Sequence, residues 1–207
     1  NRMKAEYALS HQSAIYRITY EADKPAYLIV NSRNGSIHAN ENFISGRQQL
    51  NDNTNVYVYI EAQEKPISAG ILENGTIETS KDNAEGANAC AAWRFADGTT
   101  TVNLRYGISF ISEEQAEKNL HRELKDYNIK ALAEAGRQIW NETLGRIQVE
   151  GGTEDDKTVF YSSFYRTFER PICMSEGGRY FTKTTVLLST PTTGFGTLTV
   201  PHILSAH

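Results

Sequence analysis

The chain is short of cysteine, of basic residues in excess and of long apolar runs, and each shortage removes a class of function. Only two cysteines occur in 207 residues. Cys90 and Cys173 are too far apart for a metal-ligand or redox pair, so both are expected to be reduced or buried thiols. A formal net charge of −4 leaves no basic stripe to replace phosphate counterions, which argues against a nucleic-acid partner. No apolar stretch approaches the roughly 20 residues a spanning helix needs, so no membrane span is expected. Asn1-Arg2-Met3-Lys4 contains no apolar signal core; a secretion signal, if there is one, lies upstream. His11, His38 and His121 are isolated, with no second ligand at metal spacing, and surface or packing roles are expected of them.

What the chain does contain is β-prone. Eleven tyrosines and eight phenylalanines suit a sheet or a sugar-binding surface. Ala5–Leu9 and Ala14–Tyr20 alternate apolar and polar residues, the period of a half-buried strand. Tyr27-Leu28-Ile29-Val30 is a continuous apolar run and predicts a strand buried on both faces, with Asn34-Gly35 turning the chain into a separate strand over Ser36–Ala39. Asn55–Ile60 and Thr100–Phe110 are further strands, and Asn74-Gly75 and Asp97-Gly98 are dipeptides favoured in tight hairpin turns. Many short strands with no helix between them predict an antiparallel sandwich.

At Ser112 the period changes. Ser112-Glu113-Glu114-Gln115 reads as a capping box in which the glutamine reaches back, and Ala116, Leu120 and Leu124 follow at helical spacing. A second helix is expected from Asn128, presenting Ile129, Leu132, Ala133, Gly136, Ile139 and Trp140 on one face. These two helices read as a connector rather than part of the sandwich. After Gly151-Gly152, the acidic Thr153-Glu154-Asp155-Asp156 starts a third helix, with Pro171 as its stop. Its run from Val159 to Phe168 is apolar nearly all round, as in a helix that other helices should enclose.

Few residues invite a catalytic reading. Gly151-Gly152 lacks the lysine and longer loop of a phosphate site and is expected to be a tight linker turn. Helix-start electrostatics accounts for Glu154-Asp155-Asp156 better than a calcium cluster does. Paired carboxylates can cleave a glycosidic bond, but nothing in the order of residues shows which acids would pair in space. Tyr161 and Tyr165 share a helix face, where packing is the simpler role. Arg166 beside them is harder to bury without a partner and is the best single candidate for a polar site contact. Composition and spacing alone therefore leave the function open.

One stretch is more specific. Trp140-Asn141-Glu142-Thr143-Leu144-Gly145 leads into Arg146-Ile147-Gln148-Val149-Glu150-Gly151-Gly152-Thr153-Glu154 and then Lys157–Thr167. A tryptophan closing a helix, an I-x-V-E-G-G-T-E strand and turn, and an F-Y-x-x-x-Y-R helix, in this order, resemble the domain junction of family 92 glycoside hydrolases. Ser10–Arg17 and Ile44-Ser45-Gly46-Arg47 resemble sandwich strands of the same family, and the resemblance covers about Lys4 to Tyr180. It implies a multidomain β-then-α chain: part of an N-terminal antiparallel β-sandwich over 1–111, a helical linker over 112–145, and the first helix of a truncated (α/α)6 toroid over 146–181. Such enzymes are inverting, exo-acting α-mannosidases, commonly α-1,2-specific and secreted or periplasmic, that take mannose-containing glycans and use calcium. The resemblance places the acid, the base and the calcium ligands beyond Tyr180, so no catalytic or metal residue and no bound calcium is expected in this chain. Substrate-facing roles fall to Arg166, Tyr165 and Tyr161, and the remaining partner is the rest of the catalytic domain. A non-catalytic carbohydrate-binding sandwich is the alternative.

The tail departs from the family pattern, which should reach a segment ending in L-W-D-T-x-R. Back-translated and regrouped one base earlier, Ser189 to Ile203 can become Phe-Tyr-Thr-Asp-Asp-Gly-Leu-Trp-Asp-Thr-Tyr-Arg-Ser-Pro-His. Residues 182–207 are therefore expected to be an out-of-frame tail, loosely packed or irregular.

Overall fold

The computed structural model describes residues 3–21, 23–51, 54–169, 175–181 and 186–188. Nine strands come first: β1 (Lys4–Leu9), β2 (Ser13–Thr19), β3 (Tyr27–Ala39), β4 (Ile44–Asn51), β5 (Thr54–Ala62), β6 (Ser68–Glu73), β7 (Thr76–Glu78), β8 (Asn83–Arg94) and β9 (Thr101–Ser109). They form one sheet in the order β1-β2-β9-β5-β4-β3-β8-β6-β7, with every neighbouring pair antiparallel. Ile18 and Val102 near one end of this order share a core with Ala91, Trp93 and Ile71 near the other. Residues so far apart in a sheet meet only if it curls over on itself, which gives the two packed layers of a sandwich. Trp93 is fully buried at the centre. Its indole N–H donates to the Asn40 carbonyl at 2.7 Å, so the largest core side chain leaves no polar atom unpaired.

Several local expectations hold. Asn74 and Gly75 both adopt positive φ and join β6 to β7 in a tight hairpin. Others are corrected. Asn34-Gly35 does not turn the chain but lies within β3, which absorbs the strand expected over Ser36–Ala39. The reason is crowding: a Cβ at Gly35 would sit 1.8 Å from the Arg47 carbonyl oxygen of β4, and Asn34 takes φ +50 without ending the strand. Nor is Tyr27–Val30 buried on both faces. Leu28 and Val30 pack against the core, but Ile29 on the opposite face is 56% exposed because none of the described elements covers it there. Asp97-Gly98 does turn, with Gly98 at φ +82, yet β8 and β9 lie in different parts of the sheet and do not pair. Strands β6, β7 and β8 escaped the alternation test; β8 is rich in alanine and asparagine, which carry little β signal.

Three helices follow: α1 (Glu113–Glu123), α2 (Ile129–Leu144) and α3 (Glu154–Arg166). The Ser112 hydroxyl accepts the Gln115 N–H at 3.1 Å, as expected of the cap. The return half of the box is absent, because the Gln115 side chain is buried and bonds Asn119 at 2.8 Å instead. Ala116, Leu120 and Leu124 are buried as their spacing predicts, but against the outer face of the sheet. Ala8, Ile15, Leu120, Leu124 and Ile129 make a second core there, so α1 is a covering layer of the sandwich and not a mere connector. Gly107 on β9 makes this contact possible, since a Cβ there would lie 2.3 Å from the Ala116 carbonyl oxygen.

Of the tail, residues 186–188 form strand β12 (Val186–Leu188). It pairs with β11 (Arg179–Phe181), which in turn pairs with β10 (Ser175–Glu176). The rest of the expected out-of-frame segment, Pro171 and Cys173 lie outside the described residues. Cys90 on β8 is a free thiol, pushed up in pKa by partial burial.

Candidate functional site

The sheet and α1 are joined by a half-buried ionic cluster. Arg105 on β9 donates from Nε to Glu61 on β5 at 2.8 Å, and its Nη2 lies 2.7 Å from the same oxygen. Its Nη1 donates to the Leu124 carbonyl at 2.9 Å, satisfying an end of α1, and the guanidinium lies over the Tyr127 ring at 5.0 Å. His121 approaches the other Glu61 oxygen at 2.7 Å, so it is not the isolated side chain its sequence surroundings suggest. Burial, helped by the carboxylates of Glu117 and Glu61, pushes the nearby Tyr59 phenol up to about 12. Arg105, Glu61 and His121 all have partners within the cluster, which suits attachment of α1 better than ligand binding.

The helices carrying the predicted site residues are assembled differently. Gly151 and Gly152 turn the chain with φ of +80 and +70, confirming the linker turn. Thr153 and Asp156 then form a full capping box. The N–H and hydroxyl of Thr153 hold the Asp156 carboxyl below its ordinary pKa, so the acidic run serves the helix start. Tyr161 donates its hydroxyl to the Ile147 carbonyl at 3.0 Å and accepts the Val149 N–H at 3.4 Å, which staples the extended segment before the turn onto α3. Tyr165 packs on Trp140 of α2, ring centroids 4.5 Å apart, and Phe168 meets the same indole edge-on at 5.9 Å. Trp140 was legible only as the end of the linker helix; its pairing with Tyr165 spans a turn that no spacing rule crosses.

The structure thus brings Tyr165 together with Trp140, gives Tyr161 a structural bond, and leaves Arg166 exposed at the C-terminal end of α3. None of the α3 residues is buried. Val159 is 66% exposed. On α2, only Ile129 of the predicted apolar face is buried, and Ile139 is 59% exposed. Exposed aromatic rings can stack on the C–H face of a sugar, and a guanidinium can hydrogen-bond its hydroxyls. The described residues contain no group of three or more His, Cys, Asp or Glu able to hold a metal ion. None of the described helices is long and apolar enough to cross a membrane.

Comparison with known proteins places these elements. An uncharacterized secreted glycosidase of Arthroderma benhamiae is 32% identical over 80 residues, covering 37% of this chain and 10% of that protein. An inverting mannosidase of family GH92 from Bacteroides thetaiotaomicron superposes with a TM-score of 0.71 at 24% identity, over 88% of this chain and 26% of that one. An α-mannosidase of the same family and species, solved with mannoimidazole, gives 0.74 at 21% identity over 86% and 26%. At these identities the structural likeness is one of fold: a β-sandwich followed by a helical domain. The chain spans about a quarter of the length of those solved structures, 26% in each case. The description of the glycosyl hydrolase family 92 catalytic domain matches residues 115–197, from within α1 onward. The description of the family's N-terminal domain matches residues 1–109, the whole of the nine-stranded sheet. Two descriptions that meet, without overlap, where the sheet hands over to the helices identify the chain as belonging to glycoside hydrolase family 92.

Proposed function

We propose that the intact protein is an inverting, exo-acting α-mannosidase, secreted or periplasmic, that removes terminal α-1,2-linked mannose from glycans, and that this chain by itself does not hydrolyse them. The observation that carries the reading is the contrast between the two halves. The sandwich has a closed core around Trp93, whereas α3 buries none of its residues, although it carries Val159, Phe160, Tyr161, Phe164 and Tyr165. A helix with those exposed side chains belongs in a larger α domain, of which residues 146–181 are the onset and 112–145 the linker, with α1 of that linker also covering the sheet. The mannosidases that share this fold support the sugar, since one of them was solved with mannoimidazole. Arg166 and Tyr165 supply substrate-facing polar and stacking contacts beside Trp140, and Tyr161 holds the turn that presents them.

Inversion requires two carboxyl groups roughly 6.5–9.5 Å apart with water between them. Two acids of this chain are already engaged, Glu61 with Arg105 and Asp156 with its helix cap. The described residues offer calcium no cluster of three or more His, Cys, Asp or Glu ligands. The test is release of mannose from α-1,2-mannobiose by the intact protein and by this chain across a range of calcium concentrations. Calcium-dependent release by the intact protein alone is expected. Turnover by this chain would overturn the inactive-fragment reading. Mannose binding without hydrolysis by the intact protein would favour a free-standing sugar-binding sandwich.

A further inference from the structure

The corner where β9 meets α1 contains a buried carboxylate that the sugar reading does not use. Glu176, in hairpin β10–β11, is 2% exposed. One of its oxygens accepts the Phe110 backbone N–H at 2.9 Å, immediately after β9. The other accepts from the Asn119 side chain of α1, also at 2.9 Å. Asn119, itself wholly buried, donates in addition to the Ile108 carbonyl at 2.9 Å and accepts from Gln115 at 2.8 Å. Around this centre, Arg179 of the hairpin donates to the side-chain amide oxygen of Gln115. Gln12, before β2, donates to the Ser175 carbonyl at 2.9 Å and accepts from Arg122 at 2.7 Å.

A carboxylate removed from water is tolerated only where hydrogen-bond donors replace the water. Glu176 has two such donors, one from the end of the sheet and one from the first helix. A fully satisfied polar network of this kind admits few alternative arrangements, because any slip of the hairpin strands a charge and an amide together. We infer that Glu176 is a latch that pins hairpin β10–β11 across the boundary between the sheet and the helices, and so fixes how the helical part is held against the sandwich. The latch stands on geometry alone, independently of any substrate.

The test is hydrogen–deuterium exchange with mass spectrometry on the full 207-residue chain. Glu176→Ala removes both acceptors. Exchange in the Phe110 peptide and in β10–β11 is expected to accelerate roughly 10–100-fold, the equivalent of one hydrogen bond to a charged group at about 1.5–3 kcal/mol, with the β3–β8 pairing unchanged. Glu176→Gln keeps one acceptor and turns an amide N–H toward the second donor, so it should fall between wild type and Glu176→Ala. Arg179→Ala, which spares the buried centre, should loosen the hairpin alone and serves if Glu176→Ala does not fold. Unchanged exchange at Phe110 and in the hairpin of a folded Glu176→Ala variant would overturn the latch. An unfolded Glu176→Ala combined with an undisturbed hairpin in Arg179→Ala would overturn it as well.

Discussion

Replacing Arg105 by alanine tests how the first helix is fastened to the sheet. The Arg105 and Glu61 side chains are only 15% and 17% exposed, so solvent screens the pair far less than a surface bridge. Removing one member of such a pair leaves the other charge buried, which costs about 3–5 kcal/mol. The lower end applies here, because His121 remains 2.7 Å from Glu61 and takes up part of the lost interaction. The same substitution frees the Leu124 carbonyl and uncovers the Tyr127 ring; those losses overlap with the first and are not added. About 3 kcal/mol corresponds to roughly 6–12 °C in unfolding midpoint for a domain of this size. Thermal unfolding followed by circular dichroism reads this directly, and the double variant with Glu61→Gln should recover part of the drop because the stranded charge is gone. A fall of less than about 2 °C in the single variant would show that the ionic cluster does not fasten α1 to the sheet.

Gly107→Ala should destabilise the chain by at least about 1–3 kcal/mol, the usual cost of overpacking. Its new methyl would meet the Ala116 carbonyl and lift α1, and differential scanning fluorimetry checks it; an unchanged midpoint would contradict the close contact. The α3 cap should be pH-sensitive. Because the folded pKa of Asp156 is lowered, its stabilisation is present above the ordinary value of 3.8 and is lost as pH falls through the folded value. Amide exchange in the first turn of α3 should therefore rise in that acidic window; Asp156→Asn should abolish the dependence, whereas Thr153→Ala, which keeps the backbone N–H, should only weaken it. On the proposal that residues 182–207 are an out-of-frame tail, deleting Thr184–His207 should shift the unfolding midpoint little beyond the loss of the short β11–β12 pairing, because such a tail has no selected surface to offset an ordering cost of roughly 1–2 kcal/mol per residue; a drop of many degrees refutes this. Reading the nucleotides from the Phe181 codon onward tests the out-of-frame origin itself, which a single frame continuous with that of relatives would rule out.

The elements that could be read from sequence are those whose signal is local. Ser112, Asn128 and Thr153 cap the three helices where their side chains and the change of period predict. Asn74-Gly75 is a hairpin turn because its positive φ values are a property of two residues. Glu176 gave no such signal. An acid in a polar segment looks solvated until a backbone N–H 66 residues away is found against it. Arg105, Glu61 and His121 likewise alternate with apolar neighbours and pass for a wet strand face or helix face.

Periodicity and capping thus determined the order of sheet and helices, the starts of all three helices and the apolar character of α3, since each depends on neighbours within a turn or two of chain. The junction residues from Trp140 to Arg166 carried the family resemblance for the same reason: they form one contiguous motif. Only the tertiary structure decided that the nine strands make one curled sheet, that Gly35 and Gly107 are there for close approach rather than for turning, and that Trp140 meets Tyr165. Those outcomes depend on which distant surfaces come within a few ångströms of each other, and side-chain contact energies between segments leave no trace in the local order of residues.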